Sequence, residues 1–182
     1  LTVKADSRSK TYGDPVTFDG TEFSAPNLVN GDSISSVTLT SDGAPAGAGV
    51  GGYDIVPSNP VAGAHTSLGN YVITPANGTL HVGKRALTIT ATDRSKVYGD
   101  SVTFDGTEFS AGAGQLVNGD LVKSVTLTSA GAAGTAGVGT SDITPSAAVA
   151  EAGTDLGNYT VSYNAGKLTV TPRALTITAK NQ

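Results

Sequence analysis

Few side chains in this sequence could carry out acid–base or nucleophilic chemistry. The 182 residues contain no cysteine and only two histidines, His65 and His81. Histidine often acts as a general base or metal ligand, and cysteine thiolates serve as nucleophiles and zinc ligands. Neither histidine recurs in the internal repeat described below, where Gly153 and Thr169 stand at the matching positions. We therefore predict that the protein is not an enzyme and has no catalytic residues.

Carboxylates are the chemically active side chains that do recur. The pairs at matching positions of the two halves are Asp14/Asp100, Asp19/Asp105, Glu22/Glu108, Asp32/Asp120 and Asp54/Asp142. Calcium is a hard cation that binds several oxygen ligands, so a calcium site at the domain junction is one interpretation. The other is turn chemistry, because Asp caps the backbone of tight turns and tolerates left-handed conformations. No Asp-x-Asp-x-Asp spacing occurs, so we favour turns and predict no metal site and no cofactor.

Tyrosines and lysines also recur, as Tyr12/Tyr98, Tyr71/Tyr159 and Lys10/Lys96. The tyrosines could stack on a sugar ring, but we favour core anchors whose hydroxyls bond to nearby backbone. Tyr71 and Tyr159 stand where a tyrosine-corner-like residue would begin a penultimate strand. The lysines could join a side-chain isopeptide bond, although the sequence identifies no partner for one.

This recurrence reflects an internal repeat that covers the whole chain. Residues 10–24 contain Lys-x-Tyr-Gly-Asp and return almost unchanged at 96–110, and Leu-Val-Asn-Gly-Asp occurs at both 28–32 and 116–120. Arg-Ala-Leu-Thr-Ile-Thr-Ala occurs at 85–91 and again at 173–179. A fixed period of this kind indicates tandem structural units. We predict one β repeat at 1–86, a second at 87–174, and at 175–182 the start of a third repeat or an extension of the last strand.

Hydrophobic residues alternate with polar ones in several short segments, which is the pattern of half-buried strands. The clearest examples are 87–91 and 34–41, and no segment shows the 3.6-residue period of a helix. Asp19-Gly20 predicts a two-residue hairpin with Val16, Phe18 and Phe23 pointing inward. A second hairpin is predicted around Asn77-Gly78, with its copy around Ala165-Gly166. A short strand at 53–55 is predicted to end near Pro57.

The mild charge and the lack of long apolar runs restrict the partners. The formal net charge is −4 and the basic residues are scattered, which argues against nucleic acid and anionic membrane surfaces. No run of about 18 apolar residues occurs, so we predict no membrane insertion. The chain also contains no methionine, so we expect it to be part of a longer protein.

The motifs Lys-x-Tyr-Gly-Asp, Leu-Val-Asn-Gly-Asp and Gly-Asn-Tyr resemble those of YDG and MBG-type tandem repeats in large bacterial surface proteins. These include filamentous-haemagglutinin-like adhesins. The resemblance covers the chain twice and implies an extracellular location on a bacterial cell surface, many tandem copies and no catalytic residues. One departure is Ser141, which stands where the first copy has Tyr53.

From these observations we predict an all-β protein of two tandem Ig-like β-sandwich domains joined end to end into an elongated rod. The alternative fold is a pair of β-grasp-like units. The predicted function is that of a stalk or spacer repeat that projects a distal binding domain away from the cell. The alternative is an adhesive module that binds glycan or self-associates in biofilm and cell–cell contact. We expect a monomer whose partners are neighbouring repeats of the same chain, with host or matrix glycans and proteins contacted through other domains.

Overall fold

The computed structural model describes residues 1–180. They form two all-β units, and the all-β class and the two sheet-rich repeats predicted from the sequence are confirmed. The first unit comprises Leu1–Arg85 together with Gly157–Tyr159, and the other residues belong to the second. Within residues 1–180 the only helical segments are two short 3-10 turns, Leu68–Asn70 and Leu156–Asn158.

The first unit contains seven strands in two sheets. In chain order they are β1 (Thr2–Ala5), β2 (Arg8–Thr11), β3 (Phe23–Ser24), β4 (Ile34–Thr40), β5 (Gly51–Ala62), β6 (Thr74–Ala76) and β7 (Gly78–Gly83). One sheet has the order β3-β1-β6 and the other β2-β7-β5-β4. The β1–β6 and β2–β7 pairs are parallel, which was not predicted, while the other pairs are antiparallel. The particular Ig-like arrangement therefore stays a prediction.

The second unit repeats this plan. Its strands are β8 (Arg85–Ala91), β9 (Arg94–Val97), β10 (Phe109–Ala111), β11 (Val122–Thr128), β12 (Gly139–Ala150), β13 (Tyr159–Asn164) and β14 (Gly166–Thr171). The sheet orders β10-β8-β13 and β11-β12-β14-β9 correspond strand by strand to those of the first unit. Residues 172–180 lie outside any strand, and 181–182 lie outside the described residues. The predicted boundaries and the third repeat stay predictions.

Each unit has a small aliphatic core shared by its two sheets. In the first unit the buried members are Val3, Ala5, Val37, Leu39, Ile55 and Leu80. They occupy alternate positions of their strands, as a strand with one buried face requires. Val16, Phe18 and Phe23 pack against this cluster from the side, so their predicted inward orientation is confirmed. Burying one Val, Leu or Ile side chain contributes about 1.5–3 kcal/mol, so these few residues dominate the stability of a unit.

The predicted hairpin at Asp19-Gly20 is wrong. Residues 12–22 contain no strand, and β3 pairs with β1 instead of with the segment before it. The Gly20 carbonyl accepts a hydrogen bond from the Val37 N–H at 2.8 Å, so the loop follows β4 rather than folding on itself. The side chain of Glu22 caps the turn in place of a cross-strand ladder, as described below.

The predicted hairpins at Asn77-Gly78 and Ala165-Gly166 are also wrong, because the strands on either side of each turn belong to different sheets. In the first unit β6 pairs with β1, whereas β7 pairs with β5 and β2. The strand predicted to end near Pro57 continues to Ala62. Beyond Ile55, β5 pairs with β4 alone, and proline is tolerated in a strand with one neighbour.

Candidate functional site

The Tyr12-Gly13-Asp14 motif forms a turn directly after β2. The Asp14 N–H donates to the Thr11 carbonyl at 3.0 Å, which closes the turn. Arg85 Nε donates to the Tyr12 carbonyl at 2.6 Å, and its Nη2 pairs with the Asp14 carboxylate. We call this group the arginine-clamped turn. It fastens the end of the unit to a loop that lies far away in the sequence.

The second unit builds the same arginine-clamped turn. Arg173 Nε donates to the Tyr98 carbonyl at 2.6 Å, and its Nη2 pairs with the Asp100 carboxylate. The carboxylate of each motif therefore accepts from a guanidinium group in its own unit. The motif has a structural use in both copies.

The recurring lysines contact backbone carbonyl oxygens. Lys10 Nζ donates to the Pro45 carbonyl at 2.5 Å, and burial lowers the pKa of Lys10 while the nearby Asp14 carboxylate raises it, for a net decrease. Lys96 is only 8% exposed, and its Nζ donates to the Asp100 carbonyl at 2.9 Å and to the Ala133 carbonyl. A backbone carbonyl cannot form an isopeptide bond with an amine, so these contacts hold loops together without a covalent link.

The side chain of Glu22 folds back over the turn at Asp19-Gly20, where a hairpin was wrongly predicted. Its carboxylate accepts the N–H groups of Asp19 at 3.1 Å, Gly20 at 2.9 Å and Thr21 at 3.2 Å, and it pairs with Arg8 at 3.1 Å. Burial raises the pKa of Glu22, but the backbone hydrogen bonds outweigh this effect, so its pKa lies below the ordinary value of 4.5.

Glu108 repeats this cap in the second unit. It accepts the Gly106 N–H at 3.0 Å and pairs with Arg94 at 2.9 Å. Burial again raises the pKa of the carboxylate, but the backbone N–H groups and the Arg94 charge together lower it by more, so the net change is a decrease. We call this arrangement the glutamate-capped loop. A carboxylate from within the chain occupies the kind of backbone concavity that elsewhere binds anions.

Two further recurring carboxylates, Asp32 and Asp142, have hydrogen-bond partners within their own unit. Tyr71 Oη donates to Asp32 Oδ2 at 2.6 Å, which raises the pKa of Tyr71, and the hydroxyl accepts the Val29 N–H at 3.2 Å. Asp142 stands at the position of the second copy that matches Asp54. Its carboxylate accepts a hydrogen bond from Lys167 Nζ at 2.5 Å, and this hydrogen bond raises the pKa of the lysine. Asp142 and Lys167 are register partners on β12 and β14, so their contact joins two strands, whereas Asp32 lies at the end of a turn closed by its N–H on the Val29 carbonyl. The choice between turn chemistry and calcium stays a prediction.

The candidate ligands for calcium are not brought together. Within residues 1–180 no group of three or more Asp, Glu or His side chains is arranged to hold a metal ion. The two histidines are also apart from each other: His65 lies in the loop after β5 and His81 lies on the exposed face of β7.

The recurring tyrosines differ in how much of each side chain is exposed. Tyr12 and Tyr159 are 5% and 3% exposed, as expected of core anchors. Tyr71 is partly buried with its hydroxyl on Asp32, whereas Tyr98 is 46% exposed. Tyr12 and Tyr159 are therefore buried as the anchor prediction requires, and that prediction is wrong for Tyr98.

An apolar cleft in the first unit was missed by the sequence analysis. Its volume is about 360 Å³, and it is lined by Val3, Val37, Pro57, Ser58, Asn59, Pro60, Ile73 and Pro75. These residues come from four separate strands and from Ile73, directly before β6, and the sequence alone does not bring them together. No recurring motif marks the cleft, because several of its lining positions differ between the two copies.

The fold and its polar contacts define a class of protein, namely a tandem all-β repeat whose recurring charged side chains brace their own loops. The chain belongs to the MBG domain family of the YGX type, whose model matches residues 1–81 and 87–169. The Tyr-Gly-Asp of the arginine-clamped turn fits the YGX of that description, and the predicted resemblance to MBG-type repeats is confirmed.

Repeats of this family fit a surface-adhesin-type module and do not form a known enzyme family. No protein of curated function matches the chain at a significant level. Among residues 1–180 there is no helix long and apolar enough to cross a membrane.

Proposed function

We propose that the chain is a spacer from the stalk of a large bacterial surface adhesin, located outside the cell, where it projects a distal binding domain. The observation that carries this proposal is what the two copies keep in common. Both keep the arginine-clamped turn and the glutamate-capped loop, in which each charge is satisfied within its own unit. Neither histidine is kept in the second copy.

The retention of these internal charge pairs favours a mechanical role over ligand recognition. In a spacer the useful quantity is length, which grows with the number of copies, so selection acts on the residues that keep each unit folded. The internal charge pairs serve that purpose by connecting loops that are distant in sequence.

A display experiment tests the spacer role. One, two and four copies of the chain are placed between a cell-surface anchor and a fluorescent binding domain, and the height of the fluorophore above the membrane is measured by super-resolution microscopy. A spacer of folded units predicts height in proportion to copy number. A Gly/Ser linker of equal residue count is the matched control, because its mean span grows only as the square root of its length.

Two results would contradict the proposal. The first is a height that does not change with copy number, or that follows the Gly/Ser control. The second is capture of glycan, or clumping of cells, by the repeats without the binding domain, which would support the adhesive alternative.

A further inference from the structure

The apolar cleft of the first unit opens where its two sheets separate. Val3 on β1 and Pro75 on β6 are register partners, so both side chains lie on the core-facing side of that sheet. Val3 and Val37 form the floor and are 2% and 4% exposed, whereas Pro75 at the rim is exposed. A volume of about 360 Å³ is at the lower end of the range of about 300–1,000 Å³ for ligand pockets. The cleft is therefore large enough for a single ring.

The second unit places a ring at the corresponding position. Tyr163 stands where the first unit has Pro75, and Ala148 stands where it has Pro60. The Ala148 N–H donates to the Tyr163 hydroxyl at 2.9 Å. The phenol ring thus reaches from one rim position to the other, and the unit supplies this ring itself.

The first unit can make neither half of this contact. Pro75 has no ring that could extend across the opening, and Pro60 has no N–H that could donate to a hydroxyl. The strand that carries the position is also shorter, since β6 has three residues and β13 has six. Prolines at these two positions therefore leave the opening uncovered in the first unit, whereas in the second unit the Tyr163 ring, itself 39% exposed, lies across it.

We propose that the cleft of the first unit binds a tyrosine side chain presented by an extended segment of a partner polypeptide. The floor and walls are mostly aliphatic and proline side chains, which suit the face of an aromatic ring and offer few partners to the hydroxyls of a sugar. Ser58 and Asn59 provide the polar part of the lining, where a phenol hydroxyl can be hydrogen-bonded.

A polypeptide is the preferred source of the ring because of the position of β6. This strand is at the edge of its sheet, with β1 on one side only. An extended segment can lie along such an edge and direct alternate side chains toward the cleft, which is how sheet edges commonly bind peptides. The proposal does not depend on the spacer role.

The test is a titration of the full chain, labelled with nitrogen-15, with the acetylated and amidated peptide Thr-Val-Ser-Tyr-Asn. This peptide has the sequence of residues 160–164, the strand segment that carries Tyr163 in the second unit. We expect amide shifts at Val3, Val37 and Ile73, and no shifts with the peptide in which alanine replaces tyrosine. Equal responses to both peptides, or no response at millimolar peptide, would overturn the proposal.

Two variants reverse which of the two units has an open cleft. Pro60→Ala combined with Pro75→Tyr gives the first unit the ring and the N–H donor of the second, and it should weaken peptide binding at least tenfold. Pro75→Ala is its matched control and should keep binding. Tyr163→Ala should open a second site in the other unit and raise the stoichiometry from one to two.

The same titration distinguishes other occupants. Shifts at these residues with p-cresol or with N-acetylglucosamine, and none with the peptide, would replace the polypeptide partner with a small phenol or a sugar. Unchanged affinity in the folded Pro60→Ala/Pro75→Tyr variant would place the binding elsewhere and contradict the proposal.

Discussion

Replacing Glu22 with Gln should destabilise the first unit, because a single carboxylate organises its whole capped loop. The side chain is 22% exposed and accepts from three consecutive backbone N–H groups as well as from Arg8. Glutamine keeps the shape and one acceptor oxygen, but it removes the charge and directs an NH₂ group toward the guanidinium or toward the backbone N–H groups. The perturbation thus isolates the contribution of the charge.

The size of the effect follows from two contributions. A hydrogen bond to a charged group contributes about 1.5–3 kcal/mol and a neutral one about 0.5–1.5 kcal/mol, so losing the charge costs about 1 kcal/mol after partial exposure is considered. The Arg8 pair is itself 38% exposed on the arginine side and adds about 0.5 kcal/mol. A total of about 1.5 kcal/mol corresponds to a decrease in Tm of about 6–12 °C for a domain of this size.

The pH dependence has a definite sign. The pKa of Glu22 is lowered by folding, so its contribution is fully present above the ordinary value of 4.5 and is lost as the pH falls through the folded-state pKa. Gln has no proton to gain. The stability difference between wild type and Glu22→Gln should therefore be largest near pH 7 and should narrow as the pH falls below 4.5.

Differential scanning calorimetry of the full chain at several pH values measures both effects. Glu151→Gln is the matched control, because among residues 1–180 the Glu151 side chain accepts only the N–H of the adjacent Ala152. This substitution should change Tm by less than about 2 °C. An unchanged Tm for Glu22→Gln at pH 7, or a difference that stays constant down to pH 2.5, would refute the reasoning.

Two further predictions concern the turns around this loop. Gly20→Ala should cost about 2–4 kcal/mol in chemical denaturation, because φ is +81° and a Cβ would lie 2.5 Å from the Val37 carbonyl oxygen; Gly31→Ala has a similar φ of +80° but no atom within 4 Å and should cost only about 1 kcal/mol. Asp32→Asn should lower the pKa of Tyr71 toward its ordinary value of 10.0 in an NMR titration, because the hydrogen bond to the carboxylate raises it; an unchanged pKa would contradict that cause.

Local sequence patterns predicted those parts of the fold that depend on neighbouring residues. The alternation at 34–41 indicated β4. Asn30-Gly31, part of the repeated Leu-Val-Asn-Gly-Asp motif, forms a tight turn in which both φ angles are positive, at 58° and 80°. Asp19-Gly20 carries nearly the same local signal, yet only Gly20 has a positive φ. There the Glu22 carboxylate and the Val37 N–H compete for the backbone groups that a hairpin ladder would use.

The partners of the recurring side chains could not be predicted, since sheet topology decides them. Arg85 and Asp14 are distant in the sequence and meet only because β7 lies beside β2. The cleft depends on the same kind of information, because its lining comes from four strands. Sequence comparison of the two copies does show the exchange of Tyr163 for Pro75, but only the fold shows that this exchange opens a space.

Small-angle X-ray scattering of the chain, first with calcium and then with EDTA, tests the spacer role most directly. Two units of this size held in line about 40 Å apart give a radius of gyration of roughly 23 Å, and one merged globule gives about 16 Å. If the chain is a metal-free spacer, we expect the larger value in both solutions. A value near 16 Å would contradict the spacer role, and a decrease on adding EDTA would contradict the prediction of no metal site.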